Sequence, residues 1–170
     1  PKYNEKHKEE IDMFFKKKEK EMKKLLAPVS GKLIAIEKVN DPVFAQKMMG
    51  DGFAIEPTSE QFYALADGKI SAVFPSNHAY GITLDDGMEI LVHIGLETVN
   101  ENGKGFTCHV QLNDVVKAGD MIMEIDSAYL KEKYDLTTMV IFTNANAYEE
   151  FKVEYDSEVV GGKDTAASYR

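Results

Sequence analysis

An antiparallel all-β fold, a β-sandwich or barrel-sandwich hybrid with one or two short helices behind an N-terminal helical tail, is predicted by three observations. Short apolar or alternating runs succeed one another from residue 29 onward. Between them the turn signals Gly50-Asp51-Gly52, Asp67-Gly68, Asp86-Gly87, Asn102-Gly103 and Gly119-Asp120 recur every 16 to 19 residues, in the manner of hairpins. Helical periodicity is confined to the N-terminal stretch and two brief segments.

Residues 5–24 are rich in Lys and Glu and lack Gly, and Ile11, Phe14, Phe15, Met22 and Leu25 recur at helical spacing. They read as an amphipathic helix serving as a solvated tether, with Pro28 ending any helix. Strands are expected over 29–36, 52–55, 69–74, 79–84, 89–94, 106–110, 121–125 and 139–142. Two short helices are expected, 42–49 with proline at its first position and 127–133 capped by Ser127. The resulting organisation is a tail or linker over 1–24, one domain over 25–155 and a flexible C-terminal tail over 156–170, whose last ten residues are rich in Gly, Ala and Ser.

A chain of 170 residues with 44% hydrophobic content can bury one good core. No apolar run approaches the ~18 residues of a membrane span. The single cysteine, Cys108, cannot form an internal disulfide and suits a reducing compartment, so the expected location is cytoplasmic. Net charge is −9, and residues 1–24 carry nine Lys against six acids; the body is therefore strongly acidic and should repel nucleic acid. Arg170 is the sole arginine, so any phosphate must be held by donors other than an internal guanidinium.

The chemistry-bearing stretch is Val92-His93-Ile94-Gly95-Leu96-Glu97-Thr98-Val99, an imidazole in an apolar strand followed by glycine. Fifteen residues upstream lies Ser76-Asn77-His78-Ala79-Tyr80. Antiparallel neighbours joined by Asp85-Asp86-Gly87 would bring the two rings face to face. Gly95 opens backbone beside one ring, and Ser76 or Asn77 can orient the other by hydrogen bonding. Such a pair can carry a phosphoryl group. It could also ligate zinc in a hydrolase, but a third ligand and a general base are missing at motif spacing. Cys108 and His109 point to opposite faces of a strand and do not form a pair; His7 lies in the charged tail.

Five ordered segments, Leu26-Ala27-Pro28-Val29-Ser30-Gly31, Asp41-Pro42-Val43-Phe44-Ala45, Gly50-Asp51-Gly52-Phe53-Ala54-Ile55-Glu56-Pro57, and the two histidine motifs, closely resemble the glucose-class IIA domain of the bacterial phosphoenolpyruvate:sugar phosphotransferase system. The resemblance implies that His93 receives a phosphoryl group from the histidine-containing phosphocarrier protein and passes it to a cysteine of a IIB sugar-transporter domain. It implies that His78 is a helper donating a hydrogen bond to phosphoryl oxygens, and that Ser76 holds the helper's ring. No metal, nucleotide or other cofactor is required. Glu97, where the family commonly has aspartate, and Asp41 would meet basic groups of the carrier, and Phe44, Met48, Met49, Phe74 and Leu91 would form an exposed apolar docking face. A regulatory role, in which the phosphorylation state of His93 controls a fused or partner permease or a metabolic enzyme, is the alternative. Membrane contact is expected only through the transporter or the N-terminal tail.

Overall fold

Long-range pairing decides where the strands of this chain begin and end. The computed structural model describes residues 2–170, with side chains for 4–16 and 21–170. Helix α1 (Lys2–Lys20) is followed by β1 (Lys23–Leu26) and β2 (Gly31–Ala35), then by a 3-10 turn (Ile36–Lys38) and the four-residue helix α2 (Pro42–Ala45). Next come β3 (Asp51–Pro57), β4 (Gln61–Tyr63), β5 (Gly68–Val73), β6 (Ala79–Leu84) and β7 (Glu89–Ile94). A second 3-10 turn (Thr98–Glu101) leads to β8 (Phe106–Cys108), β9 (Val115–Val116), β10 (Met121–Ile125), α3 (Ser127–Leu130) and β11 (Thr138–Phe142). The chain closes with β12 (Phe151–Val153), β13 (Glu158–Val159) and β14 (Thr165–Tyr169).

An eight-stranded sheet runs in the order β13-β2-β3-β11-β7-β6-β5-β9, beside the three-stranded sheets β1-β14-β12 and β4-β10-β8. Every pairing is antiparallel, as an all-β sandwich requires. Because successive strand residues point to opposite faces, the large sheet separates two apolar clusters. Phe53, Ile55, Ile82, Ile90, Val92, Val140 and Phe142 turn into the main core with Leu25, Phe62 and Tyr169. Ala54, Leu91, Met139 and Ile141 turn the other way, into a smaller cluster closed by Ile36, Val39, Phe44 and Leu96. Burying each large side chain of this kind contributes roughly 1.5–3 kcal/mol.

Several boundaries differ from the sequence expectation. The helix over 5–24 stops at Lys20, and Lys23 and Lys24 pair with Tyr169 and Ser168. Leu25, assigned to the helix face, is fully buried in β1. The C-terminal tail over 156–170 is not a fraying end: β13 pairs with β2, and β14 lies between β1 and β12 with Ala166, Ala167 and Tyr169 buried. Its small residues fit a tightly covered strand rather than a loose one. The helix beginning at Ser127 is capped by Asp126, whose carboxylate accepts from the Tyr129 amide, and the helix over 42–49 keeps one turn only.

Candidate functional site

The β6–β7 hairpin sets the register of the site. Asp86 and Gly87 form its turn, with the Asp86 carboxylate accepting from the Met88 amide at 3.1 Å, and Ala79 then faces His93 across the ladder. Alternation places His93 on the same face as Leu91, over the smaller apolar cluster. Upstream, the Asn77 amide donates to the Phe74 carbonyl at 2.8 Å and Asn77 takes a left-handed conformation (φ 57), which asparagine tolerates. This turn brings the His78 carbonyl to the Ile94 amide at 2.7 Å. The two imidazoles meet with ring centroids 5.0 Å apart and planes at 77°.

His93 Nδ1 lies 2.9 Å from the Gly95 carbonyl oxygen. A carbonyl only accepts, so Nδ1 carries the proton and Nε2 of the neutral ring holds the free lone pair. Gly95 is needed for this geometry: its φ is +78, and a Cβ there would come within 2.6 Å of the Thr98 methyl. Burial is the main reason that His93 titrates low, at about 4; the neighbouring His78 lowers it further, while the Gly95 carbonyl and Asp41 pull the other way. Burial also lowers His78. Both rings are thus neutral at physiological pH, and His93 presents an uncharged nucleophilic nitrogen.

Aromatic rings wall the pair. Phe44 lies 5.0 Å from His93 between centroids, and Phe74 meets His78 edge-on at 5.4 Å. Phe44 is delivered by α2, whose first turn is capped by Asp41 accepting from the Val43 amide at 2.9 Å. The helix ends with Met48 N–H donating to Val43 O and Lys47 N–H to Phe44 O, a Schellman closure with Lys47 at the left-handed position usually given to glycine.

The expected docking residues divide into two groups. Phe44 and Leu91 are buried rather than exposed, because they close the smaller cluster on this side of the sheet; Phe74 is half-buried. Met48 and Met49 are exposed, as are Val43 and Val99, two apolar residues within the same motifs that the sequence reading did not single out. Glu97 is exposed at the rim in a left-handed conformation. Its loop is anchored by Glu101, which accepts from the hydroxyls of Tyr129 and Tyr134 and pairs with Lys133. Those hydroxyls, Tyr129 foremost, hold the Glu101 carboxyl down at about 2.

His78 is 5% exposed, and its Nδ1 has no hydrogen-bond partner among the described residues. The expected bond from Ser76 to this ring is therefore not made here, Ser76 standing at the tip of the Phe74–Asn77 turn. Cys108 is half-buried and donates to the Val110 carbonyl, whereas His109 turns outward to Glu124 at 2.6 Å. No group of three His, Cys, Asp or Glu side chains is arranged to hold a metal ion among the described residues. An open cleft of about 600 Å3 lined by Lys38, Asn40, Ser59, Lys131 and Thr137, among others, contains neither histidine. Among the described residues no helix is long and apolar enough to cross a membrane.

Residues 23–148 match the family model of the phosphoenolpyruvate-dependent sugar phosphotransferase system, EIIA 1. The chain is 46% identical over 140 residues to the glucose-specific EIIA component of Halalkalibacterium halodurans, covering 82% of this chain and 81% of that protein. It is also 46% identical over 125 residues to a glucose-specific EIICBA component of Streptococcus pneumoniae, covering 73% of this chain and 17% of that longer protein. Among solved structures it is similar to the glucose permease IIA of Mycoplasma capricolum, with a TM-score of 0.80, 38% identity and coverage of 87% of this chain and 96% of that one.

Proposed function

Because this chain belongs to the EIIA 1 family of the phosphoenolpyruvate-dependent sugar phosphotransferase system, we propose that His93 Nε2 is the nitrogen that carries the phosphoryl group. The single observation behind this is the hydrogen bond from Nδ1 to the Gly95 carbonyl, which leaves the lone pair on Nε2. Nε2 attacks the phosphorus of a phosphohistidine on the histidine-containing phosphocarrier protein. The new P–N bond forms as the old one breaks, and its electron pair returns to the carrier's ring. A thiolate of a IIB sugar-transporter domain then attacks the same phosphorus, and the P–N electron pair returns to Nε2. The glucose-specific relatives, one of them an EIICBA protein, support a transporter of the glucose class as the destination.

Each neighbour has a physical task in this scheme. The Gly95 carbonyl accepts from Nδ1–H and steadies the positive charge that develops on the ring as the P–N bond forms. His78 donates from Nε2–H to a phosphoryl oxygen. Its unpartnered Nδ1 is then left as an acceptor, and the Ser76 hydroxyl, which makes no bond to this ring here, would turn to donate to it when the phosphoryl group is bound. Phosphoryl transfer needs positioning and stabilisation of oxygen charge, so two rings and backbone dipoles serve where a guanidinium is absent. Asp41 and Glu97, with exposed Val43, Met48, Met49 and Val99, form the rim on which a basic carrier docks and leaves.

Intact mass after incubation with phosphoenolpyruvate, enzyme I and the phosphocarrier tests the scheme. Wild type should gain one phosphoryl group. His93→Gln should gain none, and His78→Gln should gain it and fail to pass it to a IIB domain. No gain by wild type under conditions that load another glucose-class IIA protein sinks the relay.

A further inference from the structure

We propose that Lys47 is a positioning residue of the phosphoryl site, clasping α2 to the segments on either side so that Phe44 stays on the face of His93. The inference rests on the reading of His93 as the acceptor. Its observations are separate from the histidines. Lys47 Nζ lies 3.1 Å from Glu37 Oε1 and 3.3 Å from Asp51 Oδ1. Glu37 belongs to the 3-10 turn before α2, and Asp51 opens β3 after it, so one ammonium joins three consecutive elements.

The backbone gives the reason to expect a task for this side chain. Lys47 has φ 59, a conformation that favours glycine and disfavours a long side chain. A glycine would close α2 with less strain but would carry no ammonium. Four helical residues are too few to hold themselves in a helix, so α2 depends on what pins it, mainly the Asp41 cap and the buried Phe44. The clasp, whose side chains are 43–56% exposed and each of whose ion pairs alone is worth little, adds a bias that counts because one turn has little else to hold it. The exposed rim residues Val43 and Met48 flank the same turn. Release of Lys47 would therefore let Phe44 lift, admit water to His93 and blur the docking rim, with both histidines left intact.

The test follows the His93 ring by NMR titration in the full chain, alongside steady-state transfer from the phosphorylated carrier. Lys47→Asn keeps tolerance of the left-handed backbone and removes the clasp; Glu37→Gln loosens it without touching that backbone; Lys47→Arg retains it. The first two should raise the His93 midpoint by about half a unit toward 6.5 as burial lessens, and raise KM for the carrier about threefold with kcat within about twofold. Lys47→Arg should match wild type in both. A fall in melting temperature with the His93 midpoint unmoved makes Lys47 a structural residue only and overturns the proposal. If Lys47→Asn does not fold, Glu37→Gln decides. Failure of wild type to accept a phosphoryl group would sink the relay reading alone, because the titration does not depend on transfer.

Discussion

His93 on β7 and His109, one residue past the end of β8, are two imidazoles of one protein in opposite settings. His109 turns outward, and its Nε2 lies 2.6 Å from the Glu124 carboxylate with both side chains 40% exposed. A carboxylate accepts, so that nitrogen carries a hydrogen and offers no lone pair. His93 turns into the smaller apolar cluster, between Phe44 and His78, and the partner of its Nδ1 is a neutral carbonyl. A carbonyl orients the ring by one hydrogen bond without stabilising the protonated form as strongly as a carboxylate would. On the proposed reading, what suits His93 rather than His109 to accept a phosphoryl group is the charge of the partner and the dryness of the surroundings.

Removing each imidazole in turn should have very unequal effects. His93→Gln should abolish phosphoryl uptake, measured by intact mass, whereas His109→Gln should leave the uptake rate within about twofold of wild type, since an exposed ion pair contributes little. Comparable losses in both would mean that burial and partner do not decide function. The next largest effect is expected from Gly95→Ala. The left-handed backbone and the 2.6 Å approach of a new Cβ to Thr98 should cost about 2 kcal/mol in urea unfolding. Because the strain moves the carbonyl that orients His93, uptake should fall about 10- to 100-fold. Uptake at the wild-type rate would show that the Gly95 bond is incidental.

Acid should act on the fold through the buried His93. His93 has its folded value lowered to about 4 from 6.5, so below pH 6.5 the unfolded chain takes up the proton that the folded chain refuses. Stability is then complete above pH 6.5 and declines as pH falls toward 4, with a contribution of about 2–3 kcal/mol from this ring. Denaturant midpoints at pH 7 and pH 4.5 should show the decline in wild type and a smaller one in His93→Gln. Equal declines would place the acid sensitivity elsewhere. Uptake should persist well below pH 6.5, since the ring stays neutral in the folded protein.

Much of this was legible in the sequence, for a reason visible in the strands. β6, β7, β10 and β11 carry β-branched or large apolar residues and are bounded by Gly, Asp or Asn turns, so local pattern and final pairing agree. The Asp86-Gly87 hairpin then places His78 beside His93. β1 and β14 were not legible: Lys-Lys-Leu-Leu continues the helical composition before it, and Thr-Ala-Ala-Ser-Tyr has little strand character. Each becomes a strand by pairing with the other, with about 140 residues between them. Near the histidines, the apolar character of Phe44, Met48, Met49, Phe74 and Leu91 was plain in the sequence, but which of them are buried was not, because the burial of Phe44 and Leu91 depends on how one turn of helix lies across the sheet. The Lys47 clasp carries no motif at all.

The smallest effect expected is the most discriminating about electrostatics. Glu124→Gln keeps the shape of the His109 contact and removes its charge. An ion pair so exposed is worth less than about 1 kcal/mol, and adding 0.5 M salt to wild type should screen a similar part of it. The His93 titration should not move, because its neighbours are Phe44, His78, Asp41 and a backbone carbonyl, none of them attached to β8 or β10. A shift of the His93 midpoint in Glu124→Gln would mean that the acidic surface as a whole, rather than the local burial of one ring, sets the character of the nucleophile. An unmoved midpoint leaves that character to the walls of the site, where a single turn of helix and one glycine carbonyl do the tuning.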